Sequence, residues 1–493
     1  MPAEEGAPPI RLLKASSTPV SSVLPEAQGI EERRMSLEWI RGLERVPVAI
    51  TIAGSDSGGG AGIQADLKTF AALGVHGTVA ITSVTAQNTY SVKGVQDLDP
   101  EMVRLQIRAV AEDIGIDAGK TGMLHTEEII KAVSDEASGQ GFPLVVDPVM
   151  VAKSGAPLLR PEAVEALKRY LLPRAAVVTP NRFEAERLAE MEIRNIEEAK
   201  KAALKISGLG PESVVVKGGH LEEGEAVDIL FYEGKFTLLK APRHDVKTTH
   251  GTGCCFSAAI AAGLAKGLKI PNAVEEAKRL ITLAIKYGLD IGKGHGPVNP
   301  MAHLYREASR HRVLSFVDEA RALLEASPNV SRVVPEVGMN VAMAIPYPEG
   351  PEDVAALPGR VVRVLNGVRA VMPPRFGASS HLARYILEIS RYDPSKLAAL
   401  NMRFSEEALR RLEERDLKAS CYEREKEPED IKRREGMTIP WGVREAVKRL
   451  GKVPDIIYHR GDIGKEPMII LLGRDARELA RIVVEVAGEV SSG

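Results

Sequence analysis

The first regular pattern along the chain is an apolar run that stops at a cluster of glycines. Residues 48–52 are hydrophobic or β-branched, which is typical of a buried strand, and glycines punctuate residues 54–60. Apolar residues then recur at 63, 67, 70 and 73, the spacing of one helical face, before Gly74 ends the pattern. This part of the chain predicts a strand, a glycine loop and a helix.

The same alternation continues for about 240 residues. The predicted strands are residues 79–84, 144–146, 176–178 and 214–216, and the predicted helices are residues 101–113, 126–138, 161–172 and 182–207. A hairpin over 226–240 and helices over 253–267 and 273–288 follow. Strands that alternate with helices predict an α/β fold with a mostly parallel sheet covered by helices on both faces.

A stretch rich in glycine and proline, residues 292–300, predicts a domain boundary. Beyond it we expect a long helix over 301–326 and a smaller, separate α/β domain. Its predicted strands lie near 331–334, 340–345, 361–365, 369–371, 400, 456 and 468–472, with a helix over 380–390. The predicted organisation is a loosely ordered tail over 1–45, a first domain over 46–300 and a second over 301–493.

Bulk composition excludes several classes of protein. The formal net charge of the 493-residue chain is −2, so its total charge gives no general attraction to nucleic acid or membranes. No apolar run approaches the ~20 residues of a membrane span, and no secretory signal is evident. Three cysteines without metal-ligand spacing fit a reducing compartment. We therefore expect a cytoplasmic protein, and the scarcity of Asn and Gln indicates a thermophile.

Residues 248–262 carry the most informative local chemistry. Gly251, Thr252 and Gly253 open a predicted helix, so their backbone amides can point at an anion without Cβ interference. Such a turn suits a phosphoryl group in a charged transition state. Cys254 lies in the first helical turn, where the pKa of a thiol is usually lowered, and its thiolate can accept a proton from a substrate hydroxyl. The alternative is a glycine turn that serves packing alone.

Residues 46–300 resemble the hydroxymethylpyrimidine/phosphomethylpyrimidine kinase family over nearly their whole length. The matching segments are residues 53–70, 85–89, 120–124, 147–150, 152–155, 179–181, 217–220, 249–254 and 294–299. The resemblance implies a ribokinase-like fold, ATP and Mg²⁺ as cofactors, and two successive phosphorylations that end at the pyrimidine diphosphate. It also implies a homodimer. Residues 118–121 look like the end of a phosphate-binding P-loop but lack its first glycine, so we assign them no such role.

The resemblance also implies roles for individual residues. Asp66, Gln87 and Met123 line the pyrimidine pocket by this comparison, and Cys254 takes the position of the base. The remaining residues handle ATP and Mg²⁺: Lys153, Asn181 and Lys217 toward the nucleotide, and Asp147 and Glu184 toward the metal. Asp147 follows an apolar strand, the usual place for a site in an α/β sheet. A capping role for Asp147, a surface role for Gln87 and a solvated Lys217 are the structural alternatives.

The second domain offers fewer chemical signals. Arginines are frequent between 360 and 384, and residues 372–381 place glycine, two hydroxyls and a histidine at a predicted helix start. The alternative is an N-cap at Ser379 or Ser380 with solvated arginines. Residues 360–363, 375–381, 399–403 and 459–467 resemble the ThiN-type domain, which implies thiamin-phosphate synthase activity with a thiazole phosphate as the second substrate.

That activity requires cations for the departing pyrophosphate and a proton donor. We expect Arg360 and Arg375 to bind phosphate and His381 to donate to the leaving pyrophosphate, with Ser379 and Ser380 at the same helix start. Asn401, Arg403 and Lys465 are secondary candidates. Two alternatives stay open: a second domain that senses a ligand without catalysis, and a first domain that phosphorylates another small alcohol such as pyridoxal.

Overall fold

A computed structural model describes residues 45–151, 155, 158–219, 224–462 and 464–491. Residues Pro47–Gly493 form one compact unit that holds two separate large sheets. The predicted tail over 1–45 lies outside the described residues except for Arg45. Among the helices that the structure describes, none combines the length and hydropathy needed to cross a bilayer.

The first sheet has eight strands in the order β10-β9-β8-β7-β6-β5-β1-β2. Strands β1, β2 and β5–β8 are parallel, and the hairpin β9–β10 is antiparallel at one edge. Its strands are β1 (Val48–Ala53), β2 (His76–Ile81), β5 (Ala118–Thr121), β6 (Leu144–Val146), β7 (Ala175–Val178), β8 (Ser213–Val216), β9 (Glu225–Tyr232) and β10 (Lys235–Pro242). All six residues of β1 are buried, as expected for a parallel strand covered on both faces.

Helices cover both faces of this sheet. They are α1 (Gly62–Ala72), α2 (Pro100–Asp113), α3 (Glu127–Gln140), α4 (Pro161–Ala166), α5 (Arg182–Ala189), α6 (Ile196–Ser207), α7 (Thr252–Ala265) and α8 (Ile270–Lys286). Ile50 and Ile52 belong to one core cluster with α2–α6, whereas Ala49 belongs to the other with α1, α7 and α8. The alternation along β1 divides the core into two layers, which confirms the expected architecture.

Two predictions in this half were wrong in detail, and one strand was not predicted. The strand predicted over 79–84 ends at Ile81, and a separate ribbon forms from β3 (Ser83–Gln87) and β4 (Val92–Asp97), because Thr82 leaves the sheet and donates to Met123 O. The helix predicted over 182–207 is α5 and α6. Glu190 ends α5 in the left-handed region, and Asn195 caps α6. Residues 118–121 form the buried strand β5.

The second sheet has seven strands in the order β15-β12-β11-β16-β19-β18-β17, all antiparallel except β17 with β18. They are β11 (Asn340–Ala344), β12 (Val354–Ala356), β15 (Arg375–Phe376), β16 (Ala398–Arg403), β17 (Ala419–Cys421), β18 (Ile456–His459) and β19 (Met468–Gly473). A ribbon of β13 (Val361–Val364) and β14 (Gly367–Ala370) stands beside it. The strand predicted over 331–334 was wrong, because Pro328 begins a 3₁₀ helix, Pro328–Val333.

Helices also pack on both faces of the second sheet. They are α9 (Ala302–Ala326), α10 (Ser380–Ile389), α11 (Glu406–Glu413), α12 (Glu429–Lys432), α13 (Thr438–Leu450) and α14 (Ala476–Glu489). Helices α9, α11 and α14 supply the core of one face, and α10 and α13 supply that of the other. The predicted long helix and separate second α/β domain are confirmed.

Candidate functional sites

The carboxyl ends of the parallel strands bring the polar residues of the first domain together. Asp147 follows β6, Thr179 follows β7 and Lys217 follows β8, and these strands are neighbours in the sheet. Asp147 Oδ1 accepts from Lys217 Nζ at 3.0 Å and Thr179 Oγ1 at 3.4 Å. Asp147 Oδ2 accepts from Ser257 Oγ on α7 at 3.3 Å. The result is a nearly buried ion pair at the edge where ligands bind in α/β sheets.

Asn181 and Glu184 form a reciprocal cap at the start of α5. Asn181 Oδ1 accepts from Glu184 N at 3.0 Å, and Glu184 Oε2 accepts from Asn181 N at 2.8 Å. Burial raises the pKa of Glu184, the Lys217 ammonium opposes this rise, and the Asp147 carboxylate adds to it. The Glu184 carboxylate therefore lies within the electrostatic influence of both Asp147 and Lys217.

The donor set fits Mg²⁺, which usually takes one or two protein carboxylates and keeps phosphate and water oxygens as its other ligands. No cluster of three or more His, Cys, Asp or Glu side chains suited to a metal occurs among the described residues. Asp147 and Glu184 would hold the ion, which would neutralise phosphate charge when bound with the nucleotide.

The glycine turn that opens α7 packs directly against this ion pair. Gly251 has φ +79, and a Cβ there would lie 1.8 Å from Gly60 O, so the position requires glycine. A Cβ on Gly253 would lie 3.2 Å from Lys217 Nζ and 3.4 Å from Asp147 Oδ2. Helix α7 thus begins with its backbone against a cation and a carboxylate, and its N-terminal dipole end favours an anion there.

Two adjacent cysteines follow the turn in different environments. Cys254 is partly exposed, whereas Cys255 is fully buried in the core. Burial raises the pKa of Cys254 to about 11, although the Lys120 ammonium lowers it; carboxylates of Asp66 and Asp147 raise it further. Burial raises the pKa of Cys255 to about 12. The expected lowering of the Cys254 pKa was wrong, because desolvation outweighs the helix N-terminus.

Asp66 lies beneath the turn in a buried network. Its Oδ2 accepts from Lys120 Nζ at 2.8 Å and Thr51 Oγ1 at 2.6 Å, and its Oδ1 has no partner among the described residues. Asp66 and Lys120 have no exposed surface. Because Asp66 has no exposed surface, the residues that cover it separate its carboxylate from any ligand in this conformation.

Gln87 lines a cavity of about 550 Å³ next to the glycine turn, and His250 lines it too. His250 Nε2 lies 2.9 Å from Asp56 Oδ2 and 3.3 Å from Gln87 Nε2. Asp56 also accepts from the backbone N–H groups of Gly58, Gly60 and Ala61. Buried Met123 packs against the first glycine loop, residues 54–60, and its sulfur lies 3.2 Å from where a Cβ on Gly54 would be. Asp56 and His250 thereby join the two glycine loops.

In the second domain, polar residues collect at one end of the second sheet. Asn401 and Arg403 lie near the end of β16, His459 ends β18, and Arg375 begins β15. The strand registers place all four on the sheet face that α10 and α13 cover. Arg360 follows β12, has a left-handed φ of +67 and donates to Val337 O. Sequence-distant cations therefore share one end of the sheet.

Helix α10 places His381 at this end. Ser379 caps the helix by accepting from Leu382 N at 3.3 Å, and exposed Ser380 is the first helical residue. Burial lowers the pKa of His381 to about 4, and the guanidinium groups of Arg360, Arg384 and Arg424 add to the shift. His381 is therefore neutral at neutral pH and can donate a hydrogen bond from a ring N–H. At that pH its ring is an imidazole and not an imidazolium.

Two tyrosines connect His381 to a second histidine. The rings of His381 and Tyr385 lie 5.5 Å apart, Tyr385 and Tyr422 share a 2.9 Å hydrogen bond between their hydroxyls, and the rings of Tyr422 and His459 lie 5.4 Å apart. His459 is nearly buried, and its Nδ1 accepts from Gly461 N at 3.2 Å, so its Nε2 carries the proton when the ring is neutral. The two histidines thus flank one aromatic layer.

The other predicted residues take different places. Buried Asn401 bonds to backbone, accepting from Asn340 N at 2.7 Å and donating to Gly338 O at 3.2 Å. Exposed Lys465 lies in a tight turn with Asp462. Lys153 lies outside the described residues.

Comparisons with known proteins account for both halves of the chain. Residues 56–299 match the family model described as phosphomethylpyrimidine kinase. The hydroxymethylpyrimidine/phosphomethylpyrimidine kinase of Bacillus subtilis is 50% identical over 256 residues, which cover 52% of this chain and 94% of that protein. This chain belongs to that kinase family. Membership of this family supports the expected use of ATP.

The kinase domain also resembles a solved structure, the pyridoxal kinase of Staphylococcus aureus in complex with ADP. The two are 40% identical with a TM-score of 0.50, over 52% of this chain and 95% of that one. The thiamine biosynthesis bifunctional protein ThiED of Geobacter sulfurreducens is 49% identical over 251 residues, 51% of each protein. The ribokinase-like fold is confirmed.

Residues 316–485 match the family model described as thiamine-phosphate synthase ThiN. The chain therefore combines a kinase domain with a ThiN domain, and it is a bifunctional enzyme of thiamin biosynthesis. A ThiN domain that only senses a ligand is not favoured.

Sequence reasoning missed several residues that the structure brings to these sites. In the kinase domain they are Asp56, Lys120 and His250, and in the ThiN domain Tyr385, Tyr422 and Arg424. Asp56 and His250 each flank a glycine run, which was an available signal. Lys120 sits in a four-residue strand without a hydrophobic run. The sequence gives no sign that Tyr385 and Tyr422 belong to the site, because the tyrosine and histidine rings that they contact are brought near only by the fold.

Proposed function

We propose that the kinase domain phosphorylates hydroxymethylpyrimidine and then its monophosphate to give the diphosphate. The ThiN domain then joins this diphosphate to a thiazole phosphate, which gives thiamin phosphate and pyrophosphate. One observation carries the first part: the Gly253 backbone packs against Lys217 and Asp147 at the start of α7. A phosphoryl group held there meets helix amides and a lysine on the same side.

In the kinase domain, Gly251, Thr252 and Gly253 would bind the transferred phosphoryl group through backbone amides. Lys217 supplies a positive charge beside it, and breaks its 3.0 Å contact with Asp147 to meet the phosphate. Cys254 accepts the proton of the attacking hydroxyl. Because burial raises the pKa of this thiol, the base acts through a small thiolate fraction or after substrate binding changes its surroundings.

Gln87 and Met123 would hold the pyrimidine. The Gln87 amide can both donate to and accept from an aminopyrimidine edge, and its position on the cavity wall supports this role. Asp66 fixes Lys120 beneath the pocket and acts as a positioning residue. Asp147 and Glu184 would hold Mg²⁺, with Asn181 beside them and Lys153 expected over the nucleotide.

In the ThiN domain, the carbon–oxygen bond to the diphosphate breaks and the thiazole nitrogen forms the new bond to that carbon. Arg360, Arg375, Arg403 and Lys465 would stabilise the leaving pyrophosphate, with Ser379 and Ser380 at the start of α10. His381 donates a ring N–H to it. Asn401 holds the β11–β16 backbone and acts as a positioning residue.

The test uses the full chain with hydroxymethylpyrimidine, MgATP and the thiazole phosphate. We expect ADP release and thiamin phosphate, the latter measured by fluorescence after oxidation. His381→Ala should lose thiamin phosphate and keep ADP release, whereas His76→Ala, an exposed histidine in the kinase domain, should keep both. ADP without thiamin phosphate from the unaltered chain would refute the synthase. Pyridoxal as the preferred acceptor would refute the pyrimidine assignment.

A homodimer in the cytoplasm is the expected state of the enzyme. The β3–β4 ribbon leaves Val84, Tyr90 and Val95 exposed, which supports association through apolar surface. The three free cysteines fit a reducing compartment. Light scattering tests the dimer, and a mass of one chain, 53.2 kDa, would refute it.

A further inference from the structure

A short segment of the ThiN domain carries two buried polar atoms that have no partner. Within Tyr422–Glu427, which follows β17, Arg424 Nε and Glu427 Oε1 make no hydrogen bond to any described residue. Glu427 has 6% of its surface exposed. Leaving a buried donor or acceptor unpaired destabilises the folded state, so native proteins rarely do so without a reason. One unpaired donor and one unpaired acceptor therefore lie three residues apart, and both can take a polar group of a ligand.

The segment borders the proposed synthase site. Tyr422 shares the 2.9 Å hydroxyl–hydroxyl bond with Tyr385, whose ring touches His381. The other faces of Tyr422 meet His459 and Trp441, with ring centroids 5.4 and 5.8 Å away. The residue that begins the segment is therefore enclosed by the aromatic layer beside His381.

Unpaired positive charge surrounds the same place. Arg360, Arg384 and Arg424 all act on His381, yet none has a carboxylate within 4.0 Å in the described part of the chain. Neighbouring arginines behave differently: Arg444 pairs with Glu388 and Arg449 with Glu423. An anion brought by a substrate would complete this set of cations.

We propose that Arg424 and Glu427 recognise the phosphorylated aminopyrimidine, an inference that rests on the proposed synthase function. The substrate carries its exocyclic amine and its phosphorylated hydroxymethyl group on adjacent ring carbons. Arg424 donates to a phosphate oxygen, and the Glu427 carboxyl oxygen accepts from the amine. The two residues stand three apart on one short turn, in which Glu427 N donates to Arg424 O, and they offer one cation and one acceptor for these two neighbouring groups. The thiazole phosphate has no such amine.

The experiment supplies the full chain with the pyrimidine diphosphate, so that the kinase step is bypassed, and measures thiamin phosphate. We expect Arg424→Gln and Glu427→Gln each to raise KM for the diphosphate about tenfold or more, the effect of one lost polar interaction. KM for the thiazole phosphate should stay within about twofold. The matched controls are Arg433→Gln and Glu425→Gln, which remove the same charges at exposed positions.

A substrate analogue without the amine isolates Glu427. It should raise KM for the unaltered chain and have no further effect on Glu427→Gln. ADP release and the unfolding temperature report whether each variant folds, and Arg424→Lys provides a charge-retaining variant. Variants that fold and match their controls in KM would overturn the proposal.

Failure of the proposed synthase has a separate signature. If the unaltered chain makes no thiamin phosphate, calorimetric binding of inorganic pyrophosphate tests the anion site alone. Weaker binding in Arg424→Gln than in Arg433→Gln would then support the site while refuting the synthase. Equal binding in those two variants would refute the site itself.

Discussion

Two neighbouring thiols show how strongly position acts on a single residue. Cys254 is partly exposed at the start of α7 beside Lys120, and Cys255 points into the core between α1 and α7. Both thiols have a raised pKa and lie near Lys120 and Asp66, but only Cys254 has exposed surface at the glycine turn. Proximity to the site, rather than thiol acidity, therefore distinguishes the two.

We expect Cys254→Ser to lower the kinase kcat by about 10²–10⁴, the usual contribution of a positioned base. Cys255→Ser is the matched control and should keep kcat, although a hydroxyl in the core lowers stability. ADP release measures both variants. Equal activity of Cys254→Ser and the unaltered chain would exclude the thiol as base.

The raised pKa of Cys254 also predicts a pH profile. If its thiolate is the base, kcat/KM of the kinase should rise from neutral pH toward about pH 11, because the thiolate fraction grows with pH. The rise should disappear in Cys254→Ser. A rise that persists in that variant would identify a different titrating group.

His459 makes a prediction about stability. Burial lowers its pKa from 6.5 to about 4, and the Arg424 guanidinium and, when protonated, His381 add to the shift. This shift corresponds to roughly 3 kcal/mol between the two protonation states. Between these pH values the unfolded chain binds a proton that the folded chain does not. Stability is therefore complete above pH 6.5 and is lost as the pH falls toward 4.

His459→Asn keeps an acceptor near Gly461 and removes the titration. Its free energy of unfolding, measured with denaturant, should fall less steeply between pH 6.5 and 4 than that of the unaltered chain. The exposed His76→Asn serves as the control. An unchanged slope in His459→Asn would mean that His459 titrates alike in the folded and unfolded states.

At the scale of elements, helix α7 carries one glycine that we assign to phosphate binding and one that serves packing against α8. A Cβ on Gly253 would meet the end of Lys217 at 3.2 Å, whereas a Cβ on Gly263 would meet Ala273 of α8 at 2.9 Å. We expect Gly253→Ala to cut kinase kcat with the unfolding temperature nearly kept. Gly263→Ala should lower the unfolding temperature and leave kcat nearly unchanged. The reverse pattern would contradict the assignment of the turn to phosphate binding.

The elements that sequence predicted are those with a strong local pattern. Buried strand β1 and long helix α9 follow from hydrophobic spacing alone. Strand β5 escaped prediction because its four residues, including a lysine and a glycine, are buried by tertiary packing rather than by their own hydrophobicity. The break between α5 and α6 was readable from Asn195, a favourable cap in the middle of a helical pattern.

The same distinction applies to the sites. Resemblance placed Asp147, Lys217 and Gly253 in one site. The sheet brings Asp147 and Lys217 together because their strands, β6 and β8, flank β7, and helix α7 begins against both residues at Gly253. The polar pairs Asp66–Lys120 and Asp56–His250 join residues 54 and 194 positions apart, which no local pattern encodes. Desolvation likewise reversed the expected shift of the Cys254 pKa, because burial depends on the whole fold.

At the scale of the molecule, the two domains meet in a polar joint. Glu349 of the ThiN domain accepts from Lys286 Nζ at 2.8 Å and from the Tyr287 hydroxyl at 2.6 Å, at the end of kinase helix α8. The rings of Tyr287 and Tyr347 lie 4.8 Å apart. Burial and the Glu349 carboxylate raise the pKa of Tyr287, so its phenol remains a donor.

This joint continues into the kinase site through backbone hydrogen bonds. Gly288, just beyond Tyr287, packs so closely on Thr248 that an added Cβ would lie 2.2 Å from Thr248 Oγ1. The next residue, Leu289, donates its backbone N–H to Pro297 O at 2.9 Å. Val298 N donates to His250 O at 3.0 Å, directly before the glycine turn. The ThiN domain therefore braces the segment that sets the position of that turn.

Weakening the contact between the two domains should change the kinase activity and leave the synthase activity unchanged. Tyr287→Phe removes one hydrogen bond, worth about 1 kcal/mol, which lowers the unfolding temperature of a domain of this size by about 2–4 °C. We expect KM of the kinase for the pyrimidine to rise, while synthase KM with supplied diphosphate stays constant, since the joint contacts the kinase turn and not the end of the sheet that holds His381. Glu352→Gln, an exposed change in the same loop as Glu349, is the control. If Tyr287→Phe matches that control in both unfolding temperature and kinase KM, each domain holds its own site without the other.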